Sequence, residues 1–259
     1  MYDKLKEDSY NNYMKNGTMI NYDGNLDLKC FEIPKDNLKW VNERDVPLAY
    51  TQNHDNSIFL SAIPELMEFA VNYAEQFSDR LFSDEAINYL YDNVEVEKLN
   101  MKPFLFFKWY GIVYAIDDIN NLNLAKKQDT TVSFKKDTEY EILKQYVMLH
   151  GEYGSTYFGT LIDNKIVSIA ICNWDPDMHP EWNLPFVNIG LSTNEDYTQK
   201  GYGVSNLVAI TEYHLKKGRI VTGYTGSNNL NAQKAVLTAG FKEAGRTKKL
   251  FCTKTDDCI

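Results

Sequence analysis

Cysteine and histidine are both scarce, four of each in 259 residues. Cys30, Cys172, Cys252 and Cys258 form no C-x-x-C pair, and no Cys/His cluster has zinc spacing. This argues against a metal centre or disulfide framework and for free thiols in a reducing compartment. Positive charge is also short. Lys and Arg number 27 against 36 Asp and Glu, a formal net charge of −9, and no Lys/Arg run exceeds two residues. A nucleic-acid partner is therefore not expected, although a local basic site for an anionic ligand remains compatible with the balance. Long apolar runs are missing too. The longest apolar-aromatic stretch, Phe104–Ile116, contains Lys108 and reads as a buried strand rather than a membrane span. The opening residues, MYDKLKEDSYNNYMKNG, lack the apolar core of a signal peptide. The expectation is a soluble, cytoplasmic chain with no metal and no membrane partner.

What is present is hydrophobic residues at 44% and aromatics at 14%, enough for a sizeable core in one large domain or two small ones. Residues 1–55 mix polar and aromatic residues around turn signals such as Tyr22-Asp23-Gly24-Asn25, with a short strand at Leu28–Ile33. From Ser61, Ile63, Leu66, Met67, Ala70, Val71 and Ala74 fall at helical spacing behind Pro64. Ala86, Ile87, Leu90 and Tyr91 repeat that spacing behind Ser83, an expected N-cap. The polar stretch 117–130 lacks periodicity and places a domain boundary at 125/126. Beyond it the pattern reads strand at Thr131–Phe134, helix at about 136–150, and strands at Tyr157–Ile162 and Lys165–Asn173 joined by an Asp163-Asn164 turn. A loop at Asp175–Pro185 follows, then a strand at Phe186–Leu191, a helix over about 204–217 ended by Gly218, and a strand at Arg219–Thr225. A helix over about 230–239 and a final strand from Phe241 close the series. No internal repeat or low-complexity segment interrupts it.

Between the strand at Val187–Leu191 and the helix lies Thr198-Gln199-Lys200-Gly201-Tyr202-Gly203-Val204-Ser205. The first amides of a helix have no partner within it, and the helix dipole adds positive potential there. Glycines let the backbone close on a phosphate, and Lys200 adds charge. A bare G-x-G is a weak signal, since many such turns are only tight corners. The P-loop pattern is absent, and the dinucleotide fingerprint fails because position 206 is Asn206 rather than glycine.

The segment resembles the R/Q-x-x-G-x-G/A signature of the GNAT acetyltransferase superfamily. Gly201 and Gly203 fall at its glycines, Gln199-Lys200 resembles its intervening residues, and Thr198 replaces the leading Arg or Gln. Asn229…Ala232…Ala239-Gly240-Phe241 is similar to the family's N-x-x-S/A…x-G-F segment at the usual spacing. The element order from about 131 to 252 follows the family core, and the first 120 residues carry no part of the match. The resemblance implies an α/β (α+β) fold with a mixed, splayed central sheet flanked by helices over 126–259. Residues 1–125 would then form an N-terminal α/β domain, either on the acceptor side or a degenerate copy of the core.

It further implies acetyl-CoA as co-substrate and transfer of its acetyl group to a small-molecule amine or an amino terminus. A homodimer is left open. Backbone groups of Ile189, Gly190 and Leu191 would line the pantetheine arm. The amides of Gln199, Lys200, Gly201, Tyr202, Gly203 and Val204 would hold the pyrophosphate, Ser205 would add a hydroxyl, and Asn229 would contact the arm. Leu191 N–H is the expected donor to the thioester carbonyl. The family's commonest acid, a Tyr four residues before the G-F glycine, is replaced here by Val236. Tyr224 is the candidate acid instead, although a strand Tyr is ordinarily a packing residue. His179 and Glu195 are the candidate bases, with surface roles as the ordinary alternative. The loop carrying Asp175, Asp177, His179 and Glu181, flanked by Trp174 and Trp182, suits a cationic acceptor, and with Tyr157 and Phe186 the tryptophans form either an acceptor wall or ordinary core. A catalytically weak acetyl-CoA sensor or scaffold is the alternative to an enzyme.

Overall fold

The computed structural model describes residues 1–34, 45–103, 109–134, 156–172 and 185–254. They fall into two compact units: Tyr2–Ile112 with Gly226–Asn228 and the segment from Ala244, and Val113–Thr225 with Asn229–Glu243 and Met1.

The first unit contains α1 (Tyr2–Asn16), β1 (Thr18–Ile20), β2 (Leu28–Glu32), β3 (Asp45–Asn53), β4 (Ile58–Ala62), α2 (Pro64–Gln76), α3 (Asp84–Asn93) and β5 (Met101–Pro103). The strands run in the order β1-β2-β4-β3, with β2 and β4 parallel and the other neighbours antiparallel. Every residue of β4 is buried, as expected for an apolar strand covered on both faces. Pro64 opens α2, where its missing N–H removes no helical bond. Ser83 caps α3, its hydroxyl accepting from Ala86 N–H at 3.1 Å. The apolar stripes of both helices are buried, centred on Tyr50, Tyr73 and Phe77 with ring centroids 5.0 and 5.2 Å apart. Burying one such side chain contributes about 1.5–3 kcal/mol.

Helix α1 and strands β3 and β4 are not read from the sequence. Helix α1 is polar and docks through aromatic edges instead of an aliphatic stripe, with Tyr10 lying 5.8 Å from Phe31 and 6.1 Å from Phe59. A Lys6–Asp55 pair at 2.5 Å adds to it, holding the Asp55 carboxyl down at about 2.

The second unit contains β6 (Gly111–Ile116, its residues from Val113), β7 (Thr131–Phe134), β8 (Thr156–Ile162), β9 (Lys165–Cys172), β10 (Phe186–Thr193), α4 (Tyr202–Leu215), β11 (Ile220–Gly226) and α5 (Leu230–Ala239). Its strand order is β6-β11-β10-β9-β8-β7. Strands β7 to β10 are antiparallel neighbours, and β10 meets β11 in parallel. This is a mixed sheet flanked by helices, of the α+β class. The β8–β9 turn places Asp163 and Asn164 at φ of 50° and 58°, the positive values a two-residue hairpin turn demands. Helix α4 buries Leu207, Val208, Ala209 and Ile210 in succession, because it is covered on several sides rather than along one stripe.

Strand β12 (Lys242–Lys254) leaves the second unit and, from Gly245, pairs antiparallel with β3 and then β5. The compact units therefore differ from an expected division at 125/126. The polar stretch that suggested a linker folds into two 3₁₀ turns, Ile119–Asn121 and Leu124–Lys126. It is bonded to the end of α5, with Asn123 N–H donating to Ala239 O at 3.0 Å and its Nδ2 to Thr238 O at 3.2 Å. Gly240 ends α5 at φ 108°, and a Cβ there would lie 2.1 Å from Asn121 O. The helix expected at 136–150 and the residues of Asp175–Pro185 up to 184 lie outside the described residues. Among the described residues no helix is long and apolar enough to cross a membrane.

Lys248 of β12 is buried with 3% exposure. Its ammonium donates to Tyr91 Oη at 3.0 Å and Trp109 O at 2.9 Å, and burial pushes its pKa down to about 7. Between pH 7 and the ordinary lysine value of 10.5, the unfolded chain holds a proton here that the folded chain does not, so this group's contribution to stability rises with pH across that window. Urea titrations at pH 7, 8.5 and 10 should show wild type gaining on Lys248→Met, by on the order of a few kcal/mol across the window. A pH-independent difference between the two proteins would contradict the depressed value.

Candidate functional site

The most unusual feature of the second unit is an incomplete strand pairing. Strand β10 pairs with β9 over Ile189–Thr193. Its pairing with β11 covers only Phe186↔Ile220, Val187↔Val221 and Asn188↔Thr222. Side chains close the base of the resulting opening: Thr222 Oγ1 donates to Val187 O at 2.9 Å, and Asn188 Nδ2 donates to Thr222 Oγ1 at 3.4 Å. Beyond this point β10 runs on for five residues and β11 for four without pairing to each other.

Strand geometry shows which groups face the opening. Backbone groups of alternate residues point to opposite edges of a strand. Ser192 O is on the β9 side, where it accepts from the Ser168 hydroxyl at 3.3 Å. Ile189 O is on the β11 side, 3.9 Å from a Cβ built on Gly223. Leu191 therefore aligns with Ile189, and its N–H and C=O face the unpaired edge. Gly190 aligns with Ser192, so its backbone groups face β9. This corrects the expectation that Gly190 lines the opening through its backbone, because the strand period of two turns it away.

The turn before α4 supplies a second set of unsatisfied groups. Gln199 and Gly201 adopt left-handed conformations, φ 61° and 81°, and Gly201 caps α4 with no side-chain bond to the free amides. The first intrahelical bond runs from Ser205 N–H to Gly201 O at 3.0 Å, which leaves the N–H groups of Gly201, Tyr202, Gly203 and Val204 outside the helical ladder. No acidic residue occupies the first turn. A Cβ on Gly203 would lie 3.0 Å from Thr193 Oγ1 and 3.5 Å from Leu191 Cδ2, so this glycine allows α4 to start directly over the end of β10. Four free amides at the positive end of a helix have the chemistry to receive an anion such as a phosphate. Lys200 is exposed beside it, its ammonium 4.6 Å from the Tyr197 ring centroid.

Ser205 does not face this cradle. It is fully buried, and its hydroxyl accepts from Gln128 N–H at 2.7 Å and pairs with Thr131 Oγ1 at 2.6 Å. Thr131 Oγ1 donates in turn to Asn206 Oδ1 at 3.0 Å, which also accepts from Thr160 Oγ1 at 3.2 Å. With Thr131 donating to Asn206 Oδ1, its oxygen is left to accept from Ser205, whose own oxygen accepts from Gln128 N–H. The proton of Ser205 is thus engaged inside the fold, which corrects its expected role as a phosphate donor. Asn229 is likewise used locally. Its Oδ1 accepts from Ala232 N–H at 3.1 Å and caps α5.

Among the other candidates, Tyr224 lies on β11 one residue past Gly223 and is 51% exposed. Surrounding protein nevertheless pushes its hydroxyl up to about 12, so it stays protonated through neutral pH. Val236 Cγ1 lies 4.0 Å from the Cβ position of Gly223, where it offers only a methyl group. Glu195 is exposed on the 3₁₀ turn Glu195–Tyr197, and its carbonyl accepts from Thr198 Oγ1 at 3.0 Å. His179, with Trp174, Asp175, Asp177, Glu181 and Trp182, lies outside the described residues. Tyr157 is buried in the cluster with Phe134, Ile166, Ile169 and Ile171, which is a core position. Sequence reasoning missed Thr193 and Gln128. Thr193 was accessible from the period of two that links it to Leu191. Gln128 stands more than 70 residues before the turn it touches, and no local pattern marks it.

No family model and no curated protein matches the sequence. Solved structures similar to the chain include an acetyltransferase of the GNAT family from Novosphingobium aromaticivorans, 15% identical, covering 60% of this chain and 68% of that one at a TM-score of 0.45. An acetyltransferase of the GNAT family from Colwellia psychrerythraea is 14% identical, with 83% and 84% covered at 0.44. A functionally unknown conserved protein from Staphylococcus epidermidis is 12% identical, with 92% and 94% covered at 0.46. Likeness at these identities concerns the fold and carries nothing about substrate or residue roles.

Gly203→Val should force apart the contact with Thr193 and Leu191 and displace the free amides. Isothermal titration with 3′-dephospho-CoA, which presents the pyrophosphate, should show binding to wild type and at least tenfold weaker binding to the variant. Equal affinity in a folded variant would remove the turn from the site.

Proposed function

We propose that the chain is an N-acetyltransferase that moves an acetyl group from acetyl-CoA to an amine of a small molecule or an amino terminus. The observation that carries this reading is the meeting, within one unit, of an unpaired β10 edge and an unsatisfied helix start at Gly201–Val204. A thioester on a long polar arm ending in a pyrophosphate needs both. The strand edge offers alternating donors and acceptors to the amides of the arm, and the helix start offers amides to the phosphates. Gly203 over Thr193 and Leu191 joins the two.

In this reading Ile189 and Leu191 hold the arm and the amides of Gly201 to Val204 hold the pyrophosphate. Leu191 N–H donates to the thioester oxygen as that oxygen gains charge. The neutral amine attacks the carbonyl carbon, the C–S bond breaks, and the thiolate takes a proton from Tyr224, which exchanges with solvent. The proton of the attacking amine leaves through water. Holding the two reactants together supplies much of the acceleration. Val236 favours a second reading, a binding protein with weak activity, because no hydroxyl stands at the position where the family usually carries its acid.

Acetyl-CoA at 100 times its Kd should stabilise the fold by ~2.7 kcal/mol, seen as a rise in Tm. No shift would count against both readings. Release of free CoA thiol across a panel of amines then separates an enzyme from a binding protein. Tyr224→Phe should lower kcat by on the order of 10²-fold with little change in KM for acetyl-CoA. An unchanged kcat would remove Tyr224 as the acid.

A further inference from the structure

The residues that form the cradle do not hold it in place by themselves. Gln128 bridges it to the rest of the unit from two sides. Its N–H donates to Ser205 Oγ at 2.7 Å, anchoring it to the first turns of α4. Its side-chain Nε2 donates to Lys200 O at 3.2 Å. Thr130 Oγ1, 3.4 Å from Gln128 Oε1, is placed to donate to it and so fixes which end of the amide faces Lys200. The same Nε2 lies 2.8 Å from where a Cβ on Gly201 would stand, so the amide sits directly against the turn.

The consequence follows from peptide geometry. The peptide joining Lys200 to Gly201 is planar and trans, so its C=O and N–H point in opposite directions. A donor that fixes Lys200 O on one side of the turn also aims Gly201 N–H at the other. Gly201 has no Cβ to restrict its φ, and without such a donor this peptide could rotate at low cost. The anchor is held because buried Ser205 is tied through Thr131 to Asn206 by part-buried side-chain hydrogen bonds. The 3₁₀ turns that precede Gln128 are fixed at their other end by Asn123 on α5.

We propose that Gln128 is a positioning residue for the pyrophosphate: it orients the first amide of the cradle without touching the ligand, and the polar strap from Asn121 to Thr131 exists to hold it there. This rests on the acetyl-CoA reading and adds a residue that sets affinity for one part of the co-substrate. Its signature is selective. Loss of the Gln128 amide should weaken ligands that carry a pyrophosphate and leave unchanged those that lack it.

The test uses the full chain with Gln128→Met, which keeps side-chain length and removes the donor, and Gln128→Ala. Gln128 is partly exposed, so both variants should fold with Tm near wild type in the absence of ligand. Titration with CoA should show Kd about fivefold to tenfold higher in both, the usual effect of losing one hydrogen bond. S-acetylpantetheine, which has the thioester arm but no pyrophosphate, should react with unchanged kcat/KM. Equal CoA affinity in wild type and variants would overturn the proposal while leaving the acetyl-CoA reading intact. An equal loss for CoA and S-acetylpantetheine would overturn it in favour of a general structural role. Failure of wild type itself to bind CoA would instead remove the underlying reading.

Discussion

The open edge of β10 exists because a hydrogen-bond ladder stops. Strands β10 and β11 share three paired positions and then part after Asn188 and Thr222. A sheet interior normally satisfies every backbone donor and acceptor, because an unpaired buried group costs about 1–3 kcal/mol. Ile189 and Leu191 keep one side of the strand without a ladder partner, where a bound polar chain can pair with them. The closure of the base by Thr222 and Asn188 side chains keeps the gap local. On its other side β10 remains paired with β9 as far as Thr193. The strand is thus rigid on one edge and available on the other, which is what a site for an extended amide-bearing arm requires.

The helix start adds the second half of the site at small cost. Helix α4 is largely buried and well packed, so its position is set by Leu207, Val208 and Ile210 rather than by its first turn. The free amides of Gly201 to Val204 then point where the packing puts them. Gly203 allows the closest approach to Thr193 and Leu191, bringing the open edge and the free amides together. The buried hydroxyl chain through Ser205, Thr131 and Asn206 is the kind of polar network that stabilises only when nearly complete. Its role is to fix a polar segment against α4, a task that apolar packing could not perform for a stretch as hydrophilic as 117–130.

The split of chemistry-bearing residues shows how far a one-dimensional reading reaches. The glycine turn, the Ser83 cap and the Asp163-Asn164 hairpin were legible because each is a local rule: a missing Cβ, a hydroxyl within reach of an amide, a positive φ. The apolar stripes of α2 and α3 were legible by periodicity. Helix α1 was not, because tyrosine edges replace an aliphatic stripe. The position of Ser205 at the helix start suits a hydroxyl donor to a phosphate. Only the fold shows that Thr131 and Gln128 already engage its hydroxyl. The family resemblance puts Gly190 on the open edge with Ile189 and Leu191, and the alternation of the strand turns its backbone to the paired side.

Lys248 makes the same point for the first unit. In the sequence it is half of an ordinary Lys-Lys pair near the end of the chain. In the structure β12 carries it into a buried position against Tyr91 and Trp109. The sequence by itself determined the elements whose cause is local, namely helix starts, turns and the glycine turn before α4, since these depend on residues within one or two turns of chain. The tertiary structure alone decided where β10 and β11 stop pairing, which hydroxyls are already engaged, and that a polar linker is a strap. Each of these depends on a partner that is distant in sequence, and a hydrogen bond is specified only when both of its ends are in place.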